Sequence, residues 1–313
     1  MESSFIVRHY VPDTDLPALS RMLTEIEFVD RDGEDTSEES LRIALTWPNY
    51  RPDQDVWVVE KDGTLVGYGV ALEQPSQRCT LYVAVHPSQR RRGLGSQLLD
   101  LTLARAREFG LKTILIYANE HNRTANDFLE RRGFNMVGAS GGMMAPADLT
   151  LSSFEWPTGF VLKRFADLND LYILAVALID CYQGMWGHHN SEQPSADNPN
   201  VLRFLSYYGA NNILLLFDAN NTVSGICSLK PEDRQGESGQ LLDLLDGPGV
   251  IQEYRSDGLQ RQLVLAGIQC LRERGQHAIK LEFYGDDEKT LDIYRELGFE
   301  MTQQYIAYHK DLA

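Results

Sequence analysis

Arg90-Arg91-Arg92-Gly93-Leu94-Gly95-Ser96 decides how this chain folds, because its pattern returns 165 residues later as Arg255-Ser256-Asp257-Gly258-Leu259-Gln260-Arg261. At that shift Gln97-Leu98 falls on Gln262-Leu263, Arg107-Glu108 on Arg272-Glu273, Gly110 on Gly275, Ile114 on Ile279 and Gly133-Phe134 on Gly298-Phe299. No gap is needed over 45 positions. Glycines, charges and apolar residues held in one register identify an internal repeat. Upstream the offset shrinks: Gly63-Thr64-Leu65-Val66-Gly67 matches Asn221-Thr222-Val223-Ser224-Gly225, and Phe5-Ile6-Val7-Arg8 matches Phe160-Val161-Leu162-Lys163. A chain of 313 residues has room for about two domains, and these two are copies of one fold with different loop lengths.

Around the quoted stretch the first copy reads as a mixed α/β domain. Residues 5–10 predict a strand, 15–27 a helix, and Thr36 with Glu39 a capping box before a helix over 40–46. Strands over 55–61 and 64–72 flank Asp62-Gly63, a strong hairpin signal. A strand over 79–85 ends at His86-Pro87, and 94–109 predicts an amphipathic helix closed by Gly110. A buried strand over 113–117 and a helix over 124–132 capped by Gly133 complete the copy. The second copy repeats this order from Gly159. The expected domains are 1–142 and 159–313, joined by a linker at 143–158 that overlaps the small, irregular stretch 138–156, where Met143-Met144 also fits a strand.

The quoted stretch lies between a strand and a helix, where backbone N–H groups and the helix N-terminus can converge on an anion. Gly93 and Gly95 remove the Cβ atoms that would hold a pyrophosphate away, and Arg90, Arg91 and Arg92 add charge. The spacing is neither a Walker P-loop nor a GxGxxG dinucleotide fingerprint. Taken alone, the stretch reads equally well as a solvated charge run with glycines capping a turn.

The order strand, Arg-x-x-Gly-x-Gly, long helix, strand, Asn122-x-x-Ala125, helix, Gly133-Phe134 resembles the acetyl-CoA-binding core of the GCN5-related N-acetyltransferase (GNAT) superfamily. The resemblance covers both copies. Among two-copy members it is most similar to mycothiol synthase and its relatives, through residues 263–312 with Leu271-Arg-Glu-Arg-Gly275, Ile293-Tyr294-Arg-Glu-Leu-Gly298-Phe299 and Tyr308-x-x-x-Leu312. It implies two GNAT domains, each a mostly antiparallel central sheet flanked by helices, with acetyl-CoA wedged between two splayed strands and no metal. The loop (Arg90, Arg91, Arg92, Gly93, Gly95, Ser96) would hold the pyrophosphate, with Asn122 in the following motif. In the second copy Arg255 and Gly258 match. A backbone N–H near Val83 to Val85, or near Gly247 to Val250, would polarise the thioester. An ammonium with pKa near 10 must lose a proton before it attacks, so a general base is required, and the developing oxyanion needs a donor.

The copies differ in equipment. The position where the family commonly carries its thiolate-protonating tyrosine is Leu129 in the first copy and Tyr294 in the second. The strand over 79–85 carries no carboxylate, and Tyr82 reads as packing. The second copy offers Asp246 as base, although Asp246-Gly-Pro-Gly249 also reads as a turn. Its loop is weakened by Gln260 and Asp257. The expectation is therefore cofactor binding in the first domain and chemistry, on Tyr294 and Asp246, in the second.

Composition bounds the partners. With 29 basic and 45 acidic residues the net charge is −16, which argues against nucleic acid and anionic membranes. The charge divides as −6 over residues 1–150 and −10 over 151–313, as suits a cationic amine. Cys79, Cys181, Cys227 and Cys270 form no CxxC pair and fit reduced thiols in a cytoplasm. No signal peptide or bilayer-length apolar run is evident. His188-His189 and the acidic run Asp30-Arg-Asp-Gly-Glu-Asp35 read as solvated loops. The expected activity is acetyl transfer from acetyl-CoA to the primary amine of a small molecule. The alternatives are a protein-amine acetyltransferase and a non-catalytic acyl-CoA sensor.

Overall fold

Continuous apolar runs such as 56–59 and 213–217 need cover on both faces of a sheet, and the computed structural model buries both runs along their whole length. It describes residues 4–45, 50–74, 78–111, 113–150, 155–187, 193–235, 241–275 and 277–312. Two compact units divide the chain: unit 1 is Met1–Val137 with Tyr305–Ala313, and unit 2 is Gly138–Gln304.

Unit 1 follows the predicted order. It contains β1 (Ile6–His9), α1 (Pro12–Asp30), α2 (Glu38–Leu45), α3 (Pro52–Asp55), β2 (Val56–Lys61), β3 (Thr64–Gln74), β4 (Arg78–Val85), α4 (Leu94–Glu108), β5 (Thr113–Asn119) and α5 (Arg123–Arg131). Strand β6 (Asn135–Ala145) then runs into unit 2. The hairpin turn is as expected, with Asp62 and Gly63 both at positive φ, the geometry of a type I′ turn. The cap of α2 is not: Ser37 Oγ accepts the Ser40 N–H at 3.2 Å, while Thr36 pairs with Thr24. Thr46, expected at the end of that helix, lies outside the described residues.

Unit 2 contains β7 (Val161–Arg164), α6 (Phe165–Leu168), α7 (Leu171–Asp180), α8 (Pro199–Tyr208), β8 (Ile213–Phe217), β9 (Val223–Gln235), β10 (Leu241–Asp246), β11 (Gly249–Val250), α9 (Leu259–Arg272), β12 (Ala278–Tyr284) and α10 (Glu288–Glu296). The last strand, β13 (Glu300–Asp311), returns to unit 1. There residues 305–311 pair antiparallel with β5, Tyr305↔Asn119 through Asp311↔Thr113. Residues 140–145 of β6 pair antiparallel with β12 in unit 2. The boundary therefore differs from the expected one: residues 138–145, the first part of the irregular stretch, are strand, and each copy's closing strand completes the other copy's sheet. Backbone pairing partners so distant leave no local sequence signal.

Within each unit every recorded strand pairing is antiparallel but one. In unit 1 the order is β1-β2-β3-β4-β5 and residues 305–311, with β4 and β5 parallel. In unit 2 it is β7-β8-β9-β10-β12 and residues 140–145, with β10 and β12 parallel and β11 on β9. Leu94, Leu98 and Leu99 of α4 cover one face of unit 1, and Leu16, Leu19 and Leu23 of α1 cover the other. The repeated glycines set the helix approach. A Cβ at Gly67 would stand 3.2 Å from Leu98, and one at Gly225 2.8 Å from Leu263. Among the described residues no helix is long and apolar enough to cross a membrane.

Tyr308, on the returning strand, is buried in the unit 1 core and donates from its hydroxyl to Asn126 Oδ1 at 3.1 Å. Tyr308→Ala is expected to destabilise unit 1 by about 3–5 kcal/mol, the usual cost of removing a buried aromatic. Calorimetric unfolding measures it, and an unchanged transition would refute this role for the terminal strand.

Candidate active site

In unit 1 parallel pairing between β4 and β5 runs from Arg78↔Thr113 to Leu81↔Ile116 and stops, although β4 stays paired with β3 as far as Gly67↔Val85. The strands thus diverge at Tyr82 and Tyr117. The His86 N–H donates to Val66 O on β3 at 3.0 Å, so by strand alternation the N–H groups of Val83 and Val85 face the gap. These are the two backbone positions the resemblance implied.

The gap leads to the N-terminus of α4. Gly93 there has φ +85° and supplies no side-chain cap, leaving the first-turn N–H groups of Leu94, Gly95 and Ser96 directed out of the helix end. A Cβ on Gly93 would meet nothing within 4 Å, and one on Gly95 would meet only Val85, at 3.8 Å. Arg91 and Arg92 are exposed beside this end. Arg90 is not available to a phosphate. Its Nε donates to Val85 O at 2.9 Å, and its two Nη groups grip Asp30 at 2.8 and 2.5 Å. Arg255 repeats the arrangement, with Nε on Val250 O at 2.9 Å and Nη2 on Cys181 O and Gln183 O at 3.3 and 2.5 Å. Both arginines, expected among the cofactor ligands, anchor their loops to the strand and to the preceding helix end. Asn122 is likewise a cap for α5, accepting the Ala125 N–H at 3.2 Å, and Asp287 caps α10 in the same way.

Over the diverging strand ends of unit 1 lies the acidic run read from sequence as a solvated loop. Glu34 accepts the Tyr82 hydroxyl at 2.8 Å, Asp32 hydrogen-bonds to Asn122, and Tyr305 donates to the Asp32 carbonyl. The loop thus touches β4 on one side of the gap and Asn122, the N-cap of α5, on the other. Lost solvation, then the charges of Asp30 and Glu27, push Asp32 up to about 6. Lost solvation also raises Glu34, against the Tyr82 hydrogen bond, with Asp32 and Glu27 adding to the rise. Composition alone hid this site, because only folding brings residues 32–34 to residue 82.

Unit 2 differs where its strands part. Pairing of β10 with β12 continues one rung further, to Asp246↔Glu282, and the Gly247 N–H then donates to Glu282 O at 2.7 Å. Pro248, aligned with Val83, has no N–H. Of the donors expected between Gly247 and Val250, one is committed and one is missing. Gly258 repeats the uncapped left-handed turn of Gly93, at φ +75°. Gln260, aligned with Gly95, is buried and donates to Pro248 O and to Tyr294 Oη, the latter at 3.1 Å. The Asp257 side chain and His188-His189 lie outside the described residues.

Tyr294 is fully buried and donates to Asp286 Oδ1 at 2.8 Å. Burial, then the neighbouring Asp286 charge, raises its hydroxyl well above its ordinary value. Burial likewise lifts Asp286 to about 6, against the Tyr294 hydrogen bond. Asp246 stands on β10 as a strand residue, level with Glu282, and bonds to Tyr208 of α8. Lost solvation pushes Asp246 up to about 7; the Tyr208 bond opposes the shift, and Glu282 and Asp286 reinforce it. The structure therefore brings Asp246 to a tyrosine, but to Tyr208. Tyr294 is held by Gln260 and Asp286.

Residues 19–134 match the family model described as the acetyltransferase (GNAT) family. The chain is 28% identical over 277 residues to a mycothiol acetyltransferase of Pseudarthrobacter chlorophenolicus, covering 88% of this chain and 82% of that protein. Among solved structures it resembles a GCN5-related N-acetyltransferase from Sphaerobacter thermophilus, with TM-score 0.70, 21% identity and coverage of 98% of this chain and 95% of the other. It also resembles a tandem GNAT protein from the clavulanic acid biosynthesis pathway, with TM-score 0.65, 16% identity and 98% of each chain covered.

Asp246 has a folded-state pKa near 7 against an ordinary 3.8, so the folded chain keeps a proton that the unfolded chain has released. Its contribution to stability is then highest below about pH 4 and is lost as pH rises to about 7. Asp246→Asn removes this titration. The stability advantage of the variant over the parent is expected to grow between about pH 4 and pH 7 and to level off above. Urea unfolding across that range measures it, and a difference independent of pH would contradict the burial of this carboxyl.

Proposed function

We propose, the chain being a tandem member of the GCN5-related N-acetyltransferase superfamily, that it transfers the acetyl group of acetyl-CoA to the primary amine of a small molecule, with acetyl-CoA held in unit 1. GNAT acetyltransferases use acetyl-CoA, and the observation that carries the placement is the open gap past Leu81 and Ile116. It leads to an uncapped helix N-terminus over two unobstructed glycines. The pantetheine arm would lie along β4, meeting the N–H groups of Val83 and Val85. The pyrophosphate would meet the first turn of α4, with Arg91 and Arg92 beside it. Acetyl-CoA supplies an activated acyl group, and the protein's part is to orient it and to manage one proton.

That proton belongs to Glu34, with Asp32 beside it. The acidic mouth over the gap attracts an ammonium; Asp32, raised to about 6, is a stronger base than an ordinary carboxylate by about two powers of ten, and Glu34 is shifted in the same direction. The amine nitrogen forms a bond to the acetyl carbon, the thioester C–S bond breaks, and the carboxylate takes the amine proton. Leu129 cannot protonate the departing sulfur. A thiol of pKa about 8.5 leaves as thiolate within roughly a unit or two of neutral pH, so water can complete that step. The relatives' name makes a mycothiol-related amine the first acceptor to assay. The four cysteines, none in a disulfide, fit a reducing cytoplasm.

A second reading places the chemistry in unit 2, with Asp246 as base and Tyr294 as acid. The Asp246 carboxyl at about 7 beside Tyr208 favours it, and the Gln260 and Asp286 bonds to Tyr294 count against it. Steady-state thiol release with a panel of small amines, including the deacetylated precursor of mycothiol, separates the two. Glu34→Gln is expected to lower kcat/KM about 10²–10⁴-fold with the KM for acetyl-CoA little changed, while Asp246→Asn stays near the parent. The reverse pattern would move the chemistry to unit 2. Binding of CoA without turnover by any amine, small molecule or protein, would leave only a sensor.

A further inference from the structure

The second residue of α4 is Gly95 and the second residue of α9 is Gln260. In unit 1 the space above Gly95 is open. In unit 2 the same space holds the Gln260 side chain, which is buried and makes two bonds there. One goes to Pro248 O, on the chain segment between β10 and β11 that aligns with the ligand-facing part of β4. An amide N–H meeting a carbonyl of that segment is the contact a pantetheine amide would make if it lay along the strand. The other bond goes to Tyr294 Oη. The carboxamide thus spans from the helix N-terminus to the strand, across the path of an entering arm. Two further bonds fix the segment it closes on: the Gly247 N–H to Glu282 O at 2.7 Å, and the Tyr182 hydroxyl to Gly247 O at 3.1 Å.

We propose that the Gln260 carboxamide occupies the pantetheine slot of unit 2 in place of a ligand, so that the residue at positions 95 and 260 decides which half takes a CoA thioester. The main-chain frame of the slot survives in unit 2: Gly258 keeps the left-handed turn, α9 starts without a side-chain cap, and Arg255 holds the loop as Arg90 does. What has changed is one side chain and the donors beneath it. Removing the side chain frees Pro248 O to accept from a pantetheine amide. It restores neither the N–H that Pro248 lacks nor the one Gly247 has committed, so an opened slot binds more weakly than unit 1. The placement of the first CoA rests on the reading of unit 1 given above.

Titration of CoA and acetyl-CoA, followed by calorimetry and native mass spectrometry, tests the proposal. The parent chain is expected to bind one CoA. Gln260→Gly is expected to bind two, the second at least tenfold weaker than the first. Gly95→Gln, which places the unit 2 residue in unit 1, is expected to bind none, and the double variant Gly95→Gln with Gln260→Gly one, weakly. If Gln260→Gly unfolds, Gln260→Ser removes the same bonds while leaving a smaller void. One CoA per chain in a cooperatively folding Gln260→Gly or Gln260→Ser would overturn the proposal, as would two per chain in the parent. No CoA bound by the parent would instead overturn the placement of acetyl-CoA in unit 1.

Discussion

Wherever two parallel strands part, the backbone groups that faced each other need new partners, and this requirement organises both halves of the molecule. A buried N–H or C=O left unpaired costs about as much as a lost hydrogen bond. Unit 1 meets the requirement by leaving the groups of β4 beyond Leu81 directed at a gap. Unit 2 meets it internally. Glu282 O takes the Gly247 N–H, proline deletes the next donor, and Gln260 satisfies the Pro248 carbonyl. The same fold thus has one parting of strands that invites a ligand and one that has settled its own accounts. Helix position and the left-handed turn at Gly93 and Gly258 are shared, and they do not by themselves distinguish the two outcomes.

The arginine at the head of each loop shows what the repeat preserves and why. Its Nε reaches the carbonyl of the last strand residue, Val85 or Val250, at 2.9 Å in both halves. That bond turns the chain sharply enough for the helix to start over the strand end. Beyond it the two arginines diverge: Arg90 closes on a carboxylate at the end of α1, Arg255 on main-chain carbonyls after α7. A geometric role tolerates either partner. What stays open at the head of α4 is the set of first-turn main-chain N–H groups, with Arg91 and Arg92 exposed beside them.

Local features of the sequence carried most of the fold. The Asp62-Gly63 hairpin and the glycines after α4 and α5 each depend on residues within a turn or two of one another, the ungapped repeat shows when the chain is set against itself, and the structure has each where the sequence places it. Three things depended on distant partners and could not be read this way. The crossing of β6 and β13 between units is a choice of pairing partner, made by main-chain groups that all sequences possess. The acidic run 30–35 looked solvated because its relation to Tyr82 exists only once α1 is packed. Tyr294 was legible as an aromatic at the right spacing, yet its chemistry is set by Gln260 and Asp286, which are distant in sequence or invisible as neighbours. Gln260 itself was visible as a departure from glycine. The bonds its side chain makes were not.

Counted along the parallel pairing, Tyr82 in unit 1 and Asp246 in unit 2 each stand one step beyond Leu81↔Ile116 and its counterpart Leu245↔Leu281, with unit 2 carrying one extra residue before Pro248. Each makes a tyrosine–carboxylate pair, but the roles are exchanged. In unit 1 the strand provides the phenol and the loop provides Glu34; in unit 2 the strand provides the carboxylate and α8 provides Tyr208. The exchange has a physical consequence. A carboxylate on a loop reaches its strand from outside and can draw a cation toward the gap. A carboxylate on the strand, level with Glu282 and stripped of solvent, must hold its proton to near neutrality or find a counter-charge. The first arrangement fits turnover with a cationic acceptor. The second fits a site whose charge state is governed by its own burial.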